Sequence, residues 1–246
     1  MGKTVPWIYP VIMLASMATA VLLRSRTPQP SGLTPGERWK IALGAFCGAM
    51  IGAKLPFALA DWPALLDGRV WFENGKTIVF GMVGGYLGVE LVKAINQIRV
   101  KTGDSFAVPV AGAVAVGRLS CFVAGCCHGV ATNLPWGVDF GDGIHRHPTQ
   151  LYEAGFHALM AIVLAQFQSR GMFRGQLIKL YLIAYMTYRF ATEFLRPEPI
   201  LASGLTGYQW ACLVLIPMFG LLWFKDARTF ANPPKTDRPL TVLENR

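Results

Sequence analysis

Seven apolar runs limit what this chain can fold into more than any other feature. They cover residues 5–23, 41–60, 77–92, 106–124, 151–167, 176–195 and 208–224. A helix of about 17–25 mostly apolar residues spans the hydrocarbon layer of a bilayer. The third run is the shortest and is rich in glycine. Seven such runs in 246 residues, with 15% of residues charged, leave too little polar surface for a water-soluble helical core. The fold expected is therefore all-α: a polytopic membrane protein with about seven transmembrane helices. Residues 1–226 should form one transmembrane domain and 227–246 a cytoplasmic tail. Residues Ala18, Thr19 and Ala20 resemble a weak signal-peptidase site, but Lys3 is the only charge before them, so a retained first helix is expected.

The connections fix an expected orientation. Fourteen Lys and Arg residues fall on one side, in segments 24–40, 93–105, 168–175 and the C-terminal tail. The other side holds five: Lys3, Arg69, Lys76, Arg146 and Arg196. Positive residues accumulate on the cytoplasmic side, so the N-terminus should lie outside and the C-terminus inside. The net charge of +9 then reflects topology and attraction to anionic lipid, and does not call for a nucleic-acid partner. The outer segment 61–76 combines Trp62, Trp71 and Phe72 with charges, the composition of an interfacial belt with room for a short helix on the membrane.

The chemistry gathers in residues 117–153, GRLSCFVAGCCHGVATNLPWGVDFGDGIHRHPTQLYE. Gln150, Glu153 and His157 are spaced to share one helix face. Tyr181, Tyr185, Arg189 and Glu193 form a second stripe, followed by Arg196. Charges inside a membrane are expensive and face a partner or a cavity. For Arg189 and Glu193 a plain i,i+4 ion pair is the structural alternative. With the runs alternating in direction, Lys54, Arg118, Gln150, Glu153, Arg189 and Glu193 all fall toward the outer leaflet. A cationic pocket at that depth suits an anionic phospholipid headgroup, because guanidinium groups hold phosphate oxygens in pairs. Gly81, Gly84, Gly85 and Gly88 can serve close helix packing or leave room for a lipid, and spacing does not separate these uses.

The motifs GRLSCFVAGCCHG, HPTQLYE and AYMTYRFATEFLRPEP resemble the prolipoprotein diacylglyceryl transferase family, over roughly the second to the sixth run. The resemblance implies a seven-helix enzyme of the bacterial cytoplasmic (inner) membrane. Such an enzyme moves a diacylglyceryl group from phosphatidylglycerol to the thiol of a lipobox cysteine on a prolipoprotein, making a thioether and releasing glycerol phosphate at the outer face. It further implies that Arg118 binds the phospholipid and that Tyr185, Arg189 and Glu193 match the essential helix residues. His147, Gln150 and Tyr152 match the family's HPSQLYE. Lys54, Gly84, Gly85, Glu153 and Arg196 complete the expected substrate side. This chain departs from the family pattern in having Cys121 in place of an asparagine, Val83 in place of the histidine of a His-Gly-Gly triplet, and Lys54 where many members have arginine. Without that histidine, the base that takes the thiol proton falls to His147, His128 or Glu193, with His147 first as the family-matched residue.

Cys121, Cys126, Cys127 and His128 carry a rival chemistry. A C-x4-C-C-H cluster outside the cytoplasm can form a disulfide, bind a soft metal such as Cu(I) or Zn(II), exchange thiols, or simply pack. Its spacing matches no common zinc pattern. A membrane thiol oxidoreductase is thus the alternative enzyme, and a lipid-binding protein on the same fold the non-enzymatic alternative. Neither a P-loop nor a strand-borne GxGxxG is present, so no nucleotide or redox cofactor is expected.

Overall fold

A computed structural model describes residues 7–71, 75 and 77–231. The expected cytoplasmic tail beyond residue 231, together with Lys3, Phe72 and Lys76, lies outside the described residues. The long helices are α1 (Ile8–Arg26), α2 (Pro35–Ala60), α4 (Ile78–Ile95), α5 (Asp104–Val123), α6 (Thr149–Ser169), α7 (Leu177–Thr192) and α8 (Gly207–Ala231). Each coincides with one of the seven apolar runs. Five of them, α1, α2, α4, α5 and α8, are long and apolar enough to cross a membrane. Helix α7 has only 16 residues and α6 buries Gln150, Glu153 and His157, so neither reads as a plain lipid-spanning segment.

Two small features depart from the all-helical expectation. A two-stranded antiparallel hairpin pairs β1 (Val138–Asp139) with β2 (His145–Arg146). The run expected to continue to residue 195 ends its α-helix at Thr192 and tightens into a 3-10 turn over Glu193–Leu195. Pro197 follows closely, and a proline excludes the helical conformation at the residue before it. The interfacial segment does form a short helix, α3 (Trp62–Leu66), capped by the Asp61 carboxylate accepting from the Ala64 N–H at 3.0 Å. At the start of α2, Thr34 and Glu37 make a reciprocal capping box ahead of Pro35.

Packing rests on small residues, as expected where lipid supplies no hydrophobic drive between helices. Gly44, Gly48 and Gly52 of α2 face Gly84 and Gly88 of α4 so closely that backbones touch. A Cβ placed on Gly84 would lie 2.2 Å from the Gly48 carbonyl oxygen, and one on Gly88 2.1 Å from that of Gly44. Gly85 meets Ala45 and Ala49 on the same helix. Helix α7 sits at the centre, packed against α4, α5, α6 and α8. One apolar cluster joins Val79 and Val83 to Leu182, Tyr185, Met186, Cys212 and Phe219. Another joins Ala107, Val108 and Ala111 to Leu164, Leu177 and Tyr181. Helix α1 buries no residue and leans on α5, where Ser16 donates to the Ala113 carbonyl at 2.7 Å. The outward faces carry exposed Leu14, Val21, Phe46, Leu91, Leu159, Val214 and Leu221, an apolar girdle of the kind that contacts lipid.

The two ends of the bundle differ. At one end, Arg24 donates to Ser105, Lys40 to Asn96 at 2.8 Å, and both Lys101 and Lys179 pair with Asp226. Asp104 there accepts from the Leu177 N–H at 3.0 Å, capping α7. The other end holds α3, the hairpin, the cysteines, and the N-terminal turns of α6 and α8.

Candidate functional site

The site is built around a carboxylate. Glu153 lies in the second turn of α6, on the face it shares with Gln150 and His157, and all three are buried. Three neighbouring elements converge on it. The Arg118 guanidinium from α5 pairs with Oε2, and Arg196, just beyond the 3-10 turn, donates to the same oxygen at 2.6 Å. Tyr185 of α7 donates its hydroxyl to Oε1 at 2.5 Å. Behind them His157 places Nε2 3.9 Å from Oε1, and its Nδ1 lies 2.7 Å from the Tyr181 hydroxyl. A charge buried this deeply is tolerated only when paired and hydrogen-bonded. One carboxylate faces two guanidinium groups, so this group of three carries an excess of one positive charge. Arg118 Nε and Arg196 Nε are buried without a hydrogen-bond partner. Such donors in a membrane interior suit an incoming anion.

A second pair stands beside it. Arg189 and Glu193 make the i,i+4 ion pair at 2.7 Å. Glu193 also accepts from the Thr206 hydroxyl at 2.8 Å, and Gln209 accepts from the Thr206 N–H at 3.0 Å. The Arg189 guanidinium lies 4.7 Å over the Tyr208 ring, and its Nη1 has no hydrogen-bond partner. The structural alternative therefore exists, and it leaves one guanidinium nitrogen unclaimed.

The turn after α5 closes over this centre. Gly125 and Cys127 both have positive φ, 67° and 60°, which reverses the chain back toward Cys121. Buried α6 side chains hold the turn: Gln150 donates to the Cys126 carbonyl at 2.6 Å and Thr149 to that of Cys127 at 2.9 Å. Arg118 Nη1 lies 3.7 Å from Cys121 Sγ, tying the cysteines to the ion-pair centre. The Cys127 thiol is held low by its contacts with the Cys121 and Cys126 thiols, aided by Arg118 and Arg196, while Cys126 is pushed up by the Cys121 and Cys127 thiols. His128 stacks on Phe140, ring centroids 5.3 Å apart, with Nδ1 3.2 Å from the Gly129 carbonyl oxygen.

His147 lies after the hairpin and is half-buried. Its Nδ1 is 3.3 Å from the Tyr152 hydroxyl, which accepts from the Trp136 indole at 2.7 Å. Its backbone knits the turn to the hairpin through Gly129 and Val130. In the hairpin loop, Asp139 accepts from the N–H groups of Gly141, Asp142 and Gly143, and Arg146 donates to Asp142 at 2.6 Å. These bonds hold both carboxyl groups below the usual carboxylate range. An open concavity lined by residues 131–135 and 143–145 lies against the hairpin and includes none of the arginines.

Of the residues singled out in the sequence, Arg118, Glu153, Tyr185 and Arg196 meet in one contact network. Arg189 and Glu193 form their own pair, and Gln150 supports the cysteine turn. Lys54 is buried and donates to the Val70 carbonyl at 2.8 Å. Gly84 and Gly85 stand against α2: at Gly84 the space a lipid would need is filled by the α2 backbone, so their use is helix packing. Val83 faces the same apolar cluster as Tyr185. His157 and Tyr181 were assigned no role from sequence, yet His157 lies against Glu153 and Tyr181 holds His157 from behind. The signal was there for His157, one turn beyond Glu153 on the same face. Thr206 and Gln209, which support Glu193, gave none.

Comparison with known proteins identifies the family. The model of the family "Prolipoprotein diacylglyceryl transferase" matches residues 2–225. A Clostridium tetani protein named "Phosphatidylglycerol--prolipoprotein diacylglyceryl transferase" is 31% identical over 201 residues, 78% of this chain and 81% of its own length. Proteins of that name from Clostridioides difficile and Methylococcus capsulatus are 29% and 31% identical over 218 and 237 residues, covering 87% and 89% of both chains. With the match extending from the first helix to the last, this chain belongs to the prolipoprotein diacylglyceryl transferase family.

Proposed function

We propose that this protein moves a diacylglyceryl group from phosphatidylglycerol to a cysteine thiol of a prolipoprotein, at the outer face of a cytoplasmic membrane that its seven long helices cross. The N-terminus would then lie outside, the C-terminus inside, and residues 227–246 would be a cytoplasmic tail. The observation that carries the reading is the buried Arg118–Glu153–Arg196 centre, whose residues stand in the motifs that carry the resemblance to the family. The excess of Lys and Arg at the opposite end of the bundle supports the orientation.

In this reading Arg118, Arg196 and Arg189 hold the lipid phosphate through the guanidinium nitrogens that have no other partner. Glu153 and Tyr185 fix the guanidinium positions before the lipid arrives, so little reorganisation remains for the reaction. The acceptor sulfur bonds to the glyceryl carbon as that carbon's bond to the phosphate oxygen breaks. Glycerol phosphate leaves with its charge neutralised by the arginines, and the thiol proton passes to a base. With Val83 in the family's histidine position, we assign that base to His147, half-buried and hydrogen-bonded to Tyr152. The test is complementation of a conditional strain lacking its own transferase, with mass spectrometry of a reporter lipoprotein. The wild-type chain should add one diacylglyceryl group, and Arg118→Ala, Arg189→Ala and His147→Ala should not. Absence of the adduct from well-expressed wild-type protein would refute the assignment.

A further inference from the structure

We propose that Cys121, Cys126 and Cys127 form a three-coordinate site for a soft monovalent metal ion of the Cu(I) type. Their three Sγ atoms all lie within 4.8 Å of one another, and those of Cys126 and Cys127 are 3.8 Å apart. Three sulfurs around one trigonal ion with metal–sulfur bonds of about 2.3 Å would be about 4.0 Å apart. The observed spacing is therefore close to that of a ligand set and far from bonding distance between sulfurs. All three thiols are free.

The turn is built in a way that packing alone does not require. Adjacent cysteines ordinarily point apart, and a non-glycine residue at φ 60° is strained. Here Gly125 and Cys127 both take left-handed conformations, and this brings the second and third sulfurs back over the first. Two buried side chains on another helix, Thr149 and Gln150, clamp the carbonyls of Cys127 and Cys126 to hold that shape. The arginine centre, with its excess of one positive charge, offsets part of the charge of the filled site. Three thiolates and a monovalent ion carry two negative charges; Arg118 Nη1 is 3.7 Å from Cys121 Sγ, and Arg196 Nη1 is 3.5 Å from the Cys127 carbonyl oxygen.

The ligand count selects the ion. Soft thiolates suit both Zn(II) and Cu(I), but Zn(II) in a structural site takes four protein ligands and only three sulfurs converge here. His128, the nearest further ligand in sequence, is not part of the sulfur group and turns its ring onto Phe140. Cys126 and Cys127 are exposed, which gives the ion a route in. On binding, the thiols that still carry a proton release it to solvent and three metal–sulfur bonds form, with no change of oxidation state. The readout of this site is bound metal, which is measured without lipid transfer.

The experiment titrates the reduced, detergent-solubilised full-length protein with Cu(I) from a competing chelator, anaerobically, followed by X-ray absorption. One copper per chain is expected, with three sulfurs at about 2.3 Å. The Cys126→Ser/Cys127→Ser variant should lose more than about 100-fold in affinity, beyond the loss that a change outside the ligand shell brings. Cys47→Ser should bind as the wild type does, and the thermal midpoint of each variant shows that it has folded. Copper retained by the double variant, no copper on fully reduced wild type, or Zn(II) bound as tightly in a four-coordinate shell would each overturn the proposal.

Discussion

Replacing Glu153 with Gln keeps the shape of the side chain and removes the one charge that two arginines share. In the native protein Arg118 and Arg196 both donate to its Oε2, and Tyr185 donates to Oε1. A hydrogen bond to a charged group contributes about 1.5–3 kcal/mol, so losing the charge behind two of them removes about 3–6 kcal/mol. Breaking a buried pair by removing one partner costs about 3–5 kcal/mol by direct measurement in other proteins. The two figures agree, and the lower range is the one to expect, since the amide still accepts one bond. The folding equilibrium of Glu153→Gln should fall by a few hundred-fold to a few thousand-fold, as about 1.4 kcal/mol is a factor of ten. The assay is urea unfolding in mixed micelles, followed by tryptophan fluorescence. Adding Arg196→Gln removes the second buried cation, so the double variant should recover part of the loss, about 1–3 kcal/mol of coupling. If Glu153→Gln unfolds within about 0.5 kcal/mol of the wild type, as a surface substitution does, the carboxylate does not hold this centre and the reasoning fails.

Other consequences follow from the same geometry. Gly84→Val must push α4 off α2, because its Cβ would lie 2.2 Å from a carbonyl oxygen; it should cost at least about 1–3 kcal/mol, whereas Gly155→Ala, with nothing within 4 Å, should be neutral or slightly stabilising in the same unfolding assay. Tyr185→Phe should lose about 1.5–3 kcal/mol through one hydrogen bond to the Glu153 carboxylate, and the reporter-lipoprotein assay should show slower modification without loss of expression. Asp104→Ala removes the cap on α7 and should cost about 1 kcal/mol; an unchanged midpoint would sink that role. Asp139 and Asp142 have depressed folded pKa values, so their contribution to hairpin order is present above the ordinary carboxylate pKa and is lost as pH falls through the folded values. Amide exchange at Gly141 and Gly143, corrected for its intrinsic pH dependence, should lose protection below about pH 4 and be unchanged between pH 6 and 8.

How much of this was legible in the chain depends on the range of the interaction. Hydrophobic length is a local property, so all seven long helices could be read from their runs, and helical spacing placed Gln150, Glu153 and His157 on one face. The short hairpin escaped because two-residue strands have no periodicity to detect. The 3-10 turn after Thr192 was signalled only by the proline that follows. Glycine spacing named the residues at the α2–α4 contact but could not say whether a helix or a lipid filled the space.

The sequence by itself determined that this chain is a helical membrane protein, and its motifs carried the resemblance to its family. Both are written in composition and short-range order. Only the tertiary structure decided which charges pair. Arg118, Glu153 and Arg196 are separated by tens of residues and meet because α5, α6 and the turn after α7 converge. Arg189 instead turns to Glu193, one turn further along the chain. It also decided that the three cysteine sulfurs converge, since this depends on two left-handed residues and on side chains from another helix. Pairing of buried groups follows from distance in space, and spacing along a chain limits that distance only within a single element.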